Sequence, residues 1–271
     1  MVCRPCSIGC ASRLPHASSK LRFARQGERT VLLASHTELP LVVQRPLRGP
    51  AGQAVLVLLT PAGALFDGDA PGLDVWCGED TDVTLTTAAA TKLNRCDRGQ
   101  ISFDVHLTIG RGATLRYLPH ELIPFHAASY RQRIDVDLQD QANAWLLEVV
   151  GPGASAAPFS YTRLEFETNV RHAGALVARE RFGVTPASAA QLRGHTHYGS
   201  LLVFGPGQDR AAAVALNERL ACVPLPAVAA ASTLPSDGVV LKMLGSTAQS
   251  VRDTLLASAG CPAWLTSMLP P

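Results

Sequence analysis

Ile101, Phe103, Val105, Leu107 and Ile109 alternate without a miss against Ser102, Asp104, His106 and Thr108. A period of two marks a strand with one buried and one solvated face. The pattern recurs along the chain. Gly110-Arg111-Gly112 reads as a turn, and Leu115 and Tyr117 resume the alternation. Tyr130–Leu138 sets Ile134, Val136 and Leu138 against Arg131, Arg133, Asp135 and Asp137. Thr162, Leu164, Phe166, Thr168 and Val170 alternate with Arg163, Glu165 and Glu167. The runs Gln53–Leu59 and Ala144–Val150 are continuously apolar, as in strands covered on both faces. Shorter pieces at Thr30–Leu33, Leu41–Val43, Leu73–Trp76 and Val83–Thr87 complete the set, with Pro40 and Pro46 breaking the early ones. No helical period separates these strands, which excludes a doubly wound α/β fold.

Only two stretches read as helix, and both fall late. Asp209–Cys222 places Ala213, Leu216 and Leu220 at helical spacing. Ser246–Ala259 opens on a Ser-x-x-Gln box from Ser246 to Gln249 and stops at Gly260, with Pro262 beyond. Its apolar face carries Ala248, Val251, Leu255 and Ala259. The expectation is one mostly-β domain over residues 20–271, preceded by a disordered N-terminal extension over residues 1–19.

With 271 residues, 47% of them hydrophobic, a sizeable core is feasible. Twenty-four basic and 22 acidic residues leave a net charge of +2, with no Lys/Arg block interleaved with aromatics, so nucleic acid is not an expected partner. No apolar run approaches the roughly 18 residues of a membrane span. Seven cysteines are an odd count and fit a reducing cytoplasm better than a secreted disulfide framework. The first twenty residues lack the continuous apolar segment of a signal peptide.

Standard catalytic signatures fail one by one. No G-x-x-x-x-G-K-[ST] loop and no G-x-S-x-G elbow exists. Gly151-Pro152-Gly153-Ala154-Ser155-Ala156 fits G-x-G-x-x-A formally, but Pro158 and a strand-like stretch follow where a phosphate-binding helix should begin. His120-Glu121 lacks the second histidine of H-E-x-x-H, because position 124 is proline. Lys92, following a Thr/Ala-rich run, reads as an exposed or snorkelling end rather than a nucleophile. Cys3, Cys6 and Cys10 with His16 offer four soft or borderline ligands, or merely belong to an unstructured tail. His195-Thr196-His197 reads two ways. Both imidazoles could share one strand face as nickel or zinc ligands, or one could be solvated and the other bonded to backbone.

One stretch remains unexplained by strand periodicity. Thr60–Lys92 reads T-P-A-G-A-L-F-D-G-D-A, then two strand-like pieces, then T-L-T-T-A-A-A-T-K. Gly63 and Gly68 suggest tight turns. The pattern P-x-G-x-L-x-x-G-D, followed by T-T-x-A-x-T-K and then by Leu118-Pro119-His120-Glu121-Leu122-Ile123-Pro124-Phe125, resembles the urease accessory protein D family (UreD, also called UreH). The likeness covers Leu39 to about Val150 and carries onto Gly63, Gly68, Asp69, Thr86, Thr87, Thr91, Lys92, Pro119, His120, Ile123 and Phe125. One departure stands out. Related proteins carry G-R-x-x-x-G-E near Gly151, where this chain has Pro152 and no matching glutamate, so no role tied to those side chains carries over.

The resemblance implies an irregular stacked-sheet or β-helical fold with two helices. It also implies a nonenzymatic scaffold that binds apo-urease together with a helical (UreF-type) and a GTPase (UreG-type) accessory protein. The cargo would be transient Ni2+, with no tightly bound cofactor, passed through an interior lined by polar groups. Asp69, in the matched G-D, joins His195 and His197 as a candidate metal ligand, and Phe66, Phe125 and the Pro119–Pro124 edge as candidate partner contacts. Two other classes compete. A β-rich metal-dependent hydrolase would need His195 and His197 within about 4 Å of a carboxylate in a concave pocket. A carbohydrate-binding module would need a row of aromatics, whereas Trp76, Trp145 and Trp264 are far apart in a chain with 6% aromatic residues.

Overall fold

The computed structural model of the chain describes residues 17–222 and 227–269. Cys3, Cys6, Cys10 and His16, with the proposed metal-binding tail, lie outside the described residues. The first strand begins at Ala17.

Two sheets stack face to face. The first has seven strands; its middle five, Ala17–Gln26, Pro71–Cys77, Ile101–Ile109, Ser129–Leu138 and Arg163–His172, run parallel. Antiparallel strands Arg29–His36 and Ala175–Val184 close its edges. The second sheet runs parallel through Ala54–Leu59, Asp82–Thr87, Thr114–Tyr117 and Asn143–Val150. It then continues antiparallel through His197–Phe204, Gly238–Gly245 and Val228–Leu234.

Parallel neighbours need a crossover, which is ordinarily a helix. Here each crossover is a strand of the opposite sheet, so the chain winds as a solenoid. Ala54 pairs with Val83, Val83 with Leu115 and Leu115 with Ala144, offsets of 29, 32 and 29 residues per turn. A short third side stacks as well: Leu65 bridges to Leu93, and Leu93 pairs with Pro124. The mostly-β, stacked-sheet expectation is met in this form. Each alternating strand buries its apolar side between the sheets, where Leu73, Val105, Ile134, Val136 and Leu164 form the main core.

The continuously apolar strand Asn143–Val150 is explained by a second core on the far side of the second sheet. Leu147 and Val149 pack there against helices α1 (Arg210–Leu220), α2 (Ala248–Ser258) and α3 (Ala263–Met268). Helix α1 starts on Asp209, whose carboxylate accepts from the Ala212 amide. The expected Ser246 box is displaced by one residue: Thr247 caps α2, accepting from the Ser250 amide. Gly260, with φ +79, turns the chain out of α2 as expected. Helix α3, six residues long, is a third helix that its short apolar pattern did not reveal. Gly199 is required where α2 crosses the sheet, because a Cβ there would lie 2.3 Å from Val251 Cγ1 and 2.8 Å from Leu255 Cδ1. Among the described residues, no helix is long and apolar enough to cross a membrane.

Candidate functional site: a polar belt inside the solenoid

A band of polar side chains interrupts the apolar space between the sheets. Tyr130 donates to Gln132 Oε1 at 2.8 Å, and Gln132 Nε2 donates to Glu148 Oε1 at 2.5 Å. Glu148 is buried, and its other oxygen, Oε2, has no hydrogen-bond partner. Across the second sheet, Glu148 is in register with Ser200, and Ser200 with Lys242, so the three share one inward face. Glu180 reaches in from the edge strand of the first sheet. It accepts from Ser200 Oγ at 3.2 and 3.3 Å and from Tyr198 Oη at 3.3 Å, and it pairs with the Lys242 ammonium.

Burial, with the negative charge of Glu180 behind it, pushes the Glu148 carboxyl up to about 8. Lys242 and the Gln132 amide pull the other way. Burial also raises the phenols of Tyr117, Tyr130 and Tyr198, which therefore stay neutral. The belt is a low-dielectric path with two carboxyl groups, one ammonium and hydroxyl or amide donors. Such a set can hold a hard or borderline cation loosely, through few ligands, without the closed shell that would trap it.

Each end of the belt meets a hollow. Beside Glu148 lies a cavity of about 30 Å3, walled also by Thr87, Thr91, Tyr117, Pro119 and His120. That is room for a water or two. Thr87, Thr91 and Phe103 also line a surface cleft of about 250 Å3 that continues past Gly63, Ala88–Ala90 and Lys92. At the other end, Lys242 and Tyr198 wall a cleft of about 260 Å3 with Phe159, Tyr161 and Phe182.

The three sequence motifs converge on the first of these ends, because they occupy the same corner of successive turns. Residues Thr91–Leu93 and Leu122–Pro124 pair in parallel, placing Lys92 beside Ile123. Thr86 Oγ1 donates to Leu118 O at 2.8 Å, and Thr87 Oγ1 accepts from the His120 amide at 3.0 Å and lies 3.3 Å from His120 Nδ1. His120 is buried and Pro119 half-buried, both in the cavity wall. The small Thr and Ala side chains thus let two backbone turns approach. Gly63 (φ +73) and Gly68 (φ +87) form the turns beside them. Asp69 caps that loop: its Oδ2 accepts from the Phe66 amide at 2.8 Å. Lys92 is exposed, Phe66 is 44% exposed and Phe125 is half-buried.

Asp69, His195 and His197 are not brought together into a site. The strand begins at His197, so His195 lies in the preceding loop rather than on one face with it. His197 Nδ1 lies 2.9 Å from Thr196 Oγ1, and burial lowers its pKa. Its Nε2 would stand 3.1 Å from a Cβ at Gly151. Among the described residues no group of three or more His, Cys, Asp or Glu is arranged to hold a metal ion. No helix follows Gly151–Pro158, and the next element is the strand Arg163–His172. Sequence reasoning missed the belt itself. Glu148 is the one ionisable residue in Ala144–Val150, and that interruption of an apolar run was the available signal. Glu180 and Lys242 carried no local signal, since only the register across strands aligns them.

The fold defines the class: a β-solenoid of two stacked sheets with polar side chains buried between them. The family follows from comparison. Residues 15–267 match the model of the UreD urease accessory protein, and the chain belongs to that family. It is similar to urease accessory protein UreD of Dechloromonas aromatica, 33% identical over 88% of this chain and 85% of the relative. It is also similar to UreD of Cupriavidus necator (30% identical, 89% and 87% covered) and of Actinomyces naeslundii (29%, 83% and 85%). These relatives are accessory proteins of urease.

Proposed function

We propose that this chain is a scaffold and metallochaperone component of urease maturation. It binds apo-urease together with UreF-type and UreG-type accessory proteins, has no reaction centre of its own, and passes Ni2+ through the belt between the sheets. The observation that carries this reading is Glu148: a buried carboxyl with one unpartnered oxygen, on the wall of an inner cavity that shares Thr87, Thr91 and Phe103 with a surface cleft. A buried polar atom without a partner costs about 1–3 kcal/mol, and of the six such side-chain atoms among the described residues Glu148 Oε2 is the one carboxyl oxygen whose residue walls the inner cavity. A passing cation would supply the missing partner.

Weak, sparse ligation suits transfer, because tight coordination would retain the metal. The rim beside the inner cavity, with exposed Phe66 and Lys92 and the half-buried Pro119 and Phe125, is the surface through which the path would meet a partner. The hydrolase alternative finds less support, since neither His195 nor His197 has a carboxylate within ion-pairing distance among the described residues.

The test is reconstitution. Apo-urease, Ni2+, bicarbonate, GTP and the UreF-type and UreG-type partners are combined with and without this chain, and urease activity is measured. Activation should depend on the chain, and Glu148→Ala should lose most of it while still co-purifying with the UreF-type partner. Equal activation without the chain would remove the proposal.

A further inference from the structure

Glu148, Ser200 and Lys242 stand in register on three adjacent strands, and Glu180 faces them from the opposite sheet. Among the described residues Lys242 is the only cation in contact with either glutamate. The two halves of that ion pair differ in exposure: the Glu180 side chain is 12% exposed, that of Lys242 47%. The lysine therefore enters the belt from the solvent side. Its ammonium also lies 5.8 Å from the Tyr198 ring centroid, on the wall of the aromatic-lined cleft.

We propose that Lys242 is a displaceable internal counter-ion, a plug that neutralises Glu180 while the belt is empty and withdraws into the aromatic cleft when a divalent cation enters. This rests on the reading that the belt carries metal. Three features support it. An ammonium brings one positive charge to a site with two carboxyl groups, whereas a divalent cation can answer both. The ammonium is a compact point charge on a flexible four-carbon stem, free to swing, unlike the planar fork of arginine. The cleft offers it a place to go, because a ring face attracts a desolvating cation. The plug would keep Glu180 paired while the belt is empty. It would also make entry selective, since a monovalent ion gains nothing by replacing an ammonium already in place.

Two measurements on the full-length protein test this. In the first, Ni2+ is titrated in competition with a chromophoric chelator at fixed pH. Lys242→Met should tighten nickel binding by about tenfold or more, because a like charge has left the site. Lys242→Arg should bind no more tightly than wild type, and adding Glu148→Gln to Lys242→Met should erase the gain. In the second, wild-type protein is acetylated with an amine-reactive ester and Lys242 is quantified by mass spectrometry, with exposed Lys92 as reference. Ni2+ should raise Lys242 labelling several-fold relative to Lys92, a readout that survives even if the Met variant fails to fold. Unchanged labelling, or nickel binding by folded Lys242→Met no tighter than wild type, overturns the plug. If Glu148→Gln alone leaves nickel binding unaltered, the belt itself is misassigned; if it weakens binding while Lys242→Met does not tighten it, the belt stands and the plug falls.

Discussion

The outer face of the first sheet and the belt behind it use the same side chains to opposite effect. On the outer face, His106 lies 2.9 Å from Asp137 and 3.7 Å from Asp74. Arg133 pairs with Asp135 at 2.6 Å, Asn169 donates to Asp135 at 3.1 Å, and Arg179 donates to Asn169 at 2.9 Å. Carboxylates alternate with cations along this lattice, and of its carboxylates only Asp104 has a buried oxygen without a partner among the described residues. Inside, among the described residues, Lys242 pairs with Glu180 alone, Glu148 accepts only from Gln132, and its other oxygen has no partner. Pairs such as His106–Asp137 on the outer face are open to solvent, whereas the Glu148 carboxyl is buried against an inner cavity with one oxygen unpartnered.

The contrast can be broken most sharply at Glu148. Its carboxyl is held near 8 in the folded protein against 4.5 for the ordinary value. Between those limits the folded state keeps a proton that the unfolded state has lost, so stability falls as pH rises. The slope from this one group is about 1.4 kcal/mol per pH unit. Denaturation of wild type and Glu148→Gln across that window should show the difference between them shrinking or reversing toward low pH; parallel curves would mean that Glu148 is solvated like its outer-face counterparts.

A smaller effect is expected at Gln132, the donor to Glu148. Gln132→Ala leaves a second carboxyl oxygen unanswered and should cost about 1–3 kcal/mol in urea denaturation. On the outer face, His106→Ala should cost less than about 1 kcal/mol, and less still in high salt, because exposed pairs are weak and screened. A large loss there would erase the distinction between the regions. Smallest of all, Asp69→Ala removes the cap on the Phe66 amide, with about 1 kcal/mol or less lost from stability but reduced urease activation or complex solubility. Wild-type behaviour in both of the latter assays would take Asp69 out of the working surface.

The strands were legible because their period of two is imposed locally by burial: Ile101–Ile109 appears as read, and Tyr130–Leu138 gains only Ser129. The edge strand Ala175–Val184 was not, since its sides are both partly exposed and its alternation is weak. Winding direction was hidden for a different reason. Solenoid turns of 29 to 32 residues show only when distant strands are aligned, as Val83 is with Leu115. The family motifs gather at one corner of the molecule, where Thr87, Thr91, Pro119 and His120 wall the cavity beside Glu148. They did not point to Glu180 or Lys242, which reach the belt from strands outside the motifs. His195 and His197 drew attention as a sequence pair, but the strand starts between them.

Crystals of the protein soaked in a nickel salt and measured at the nickel absorption edge address the belt without recourse to urease activity. Anomalous density between Glu148 and Glu180, with Ser200 beside it, is the predicted result. Density confined to the outer carboxylates around His106, with the space between the sheets empty, would contradict it.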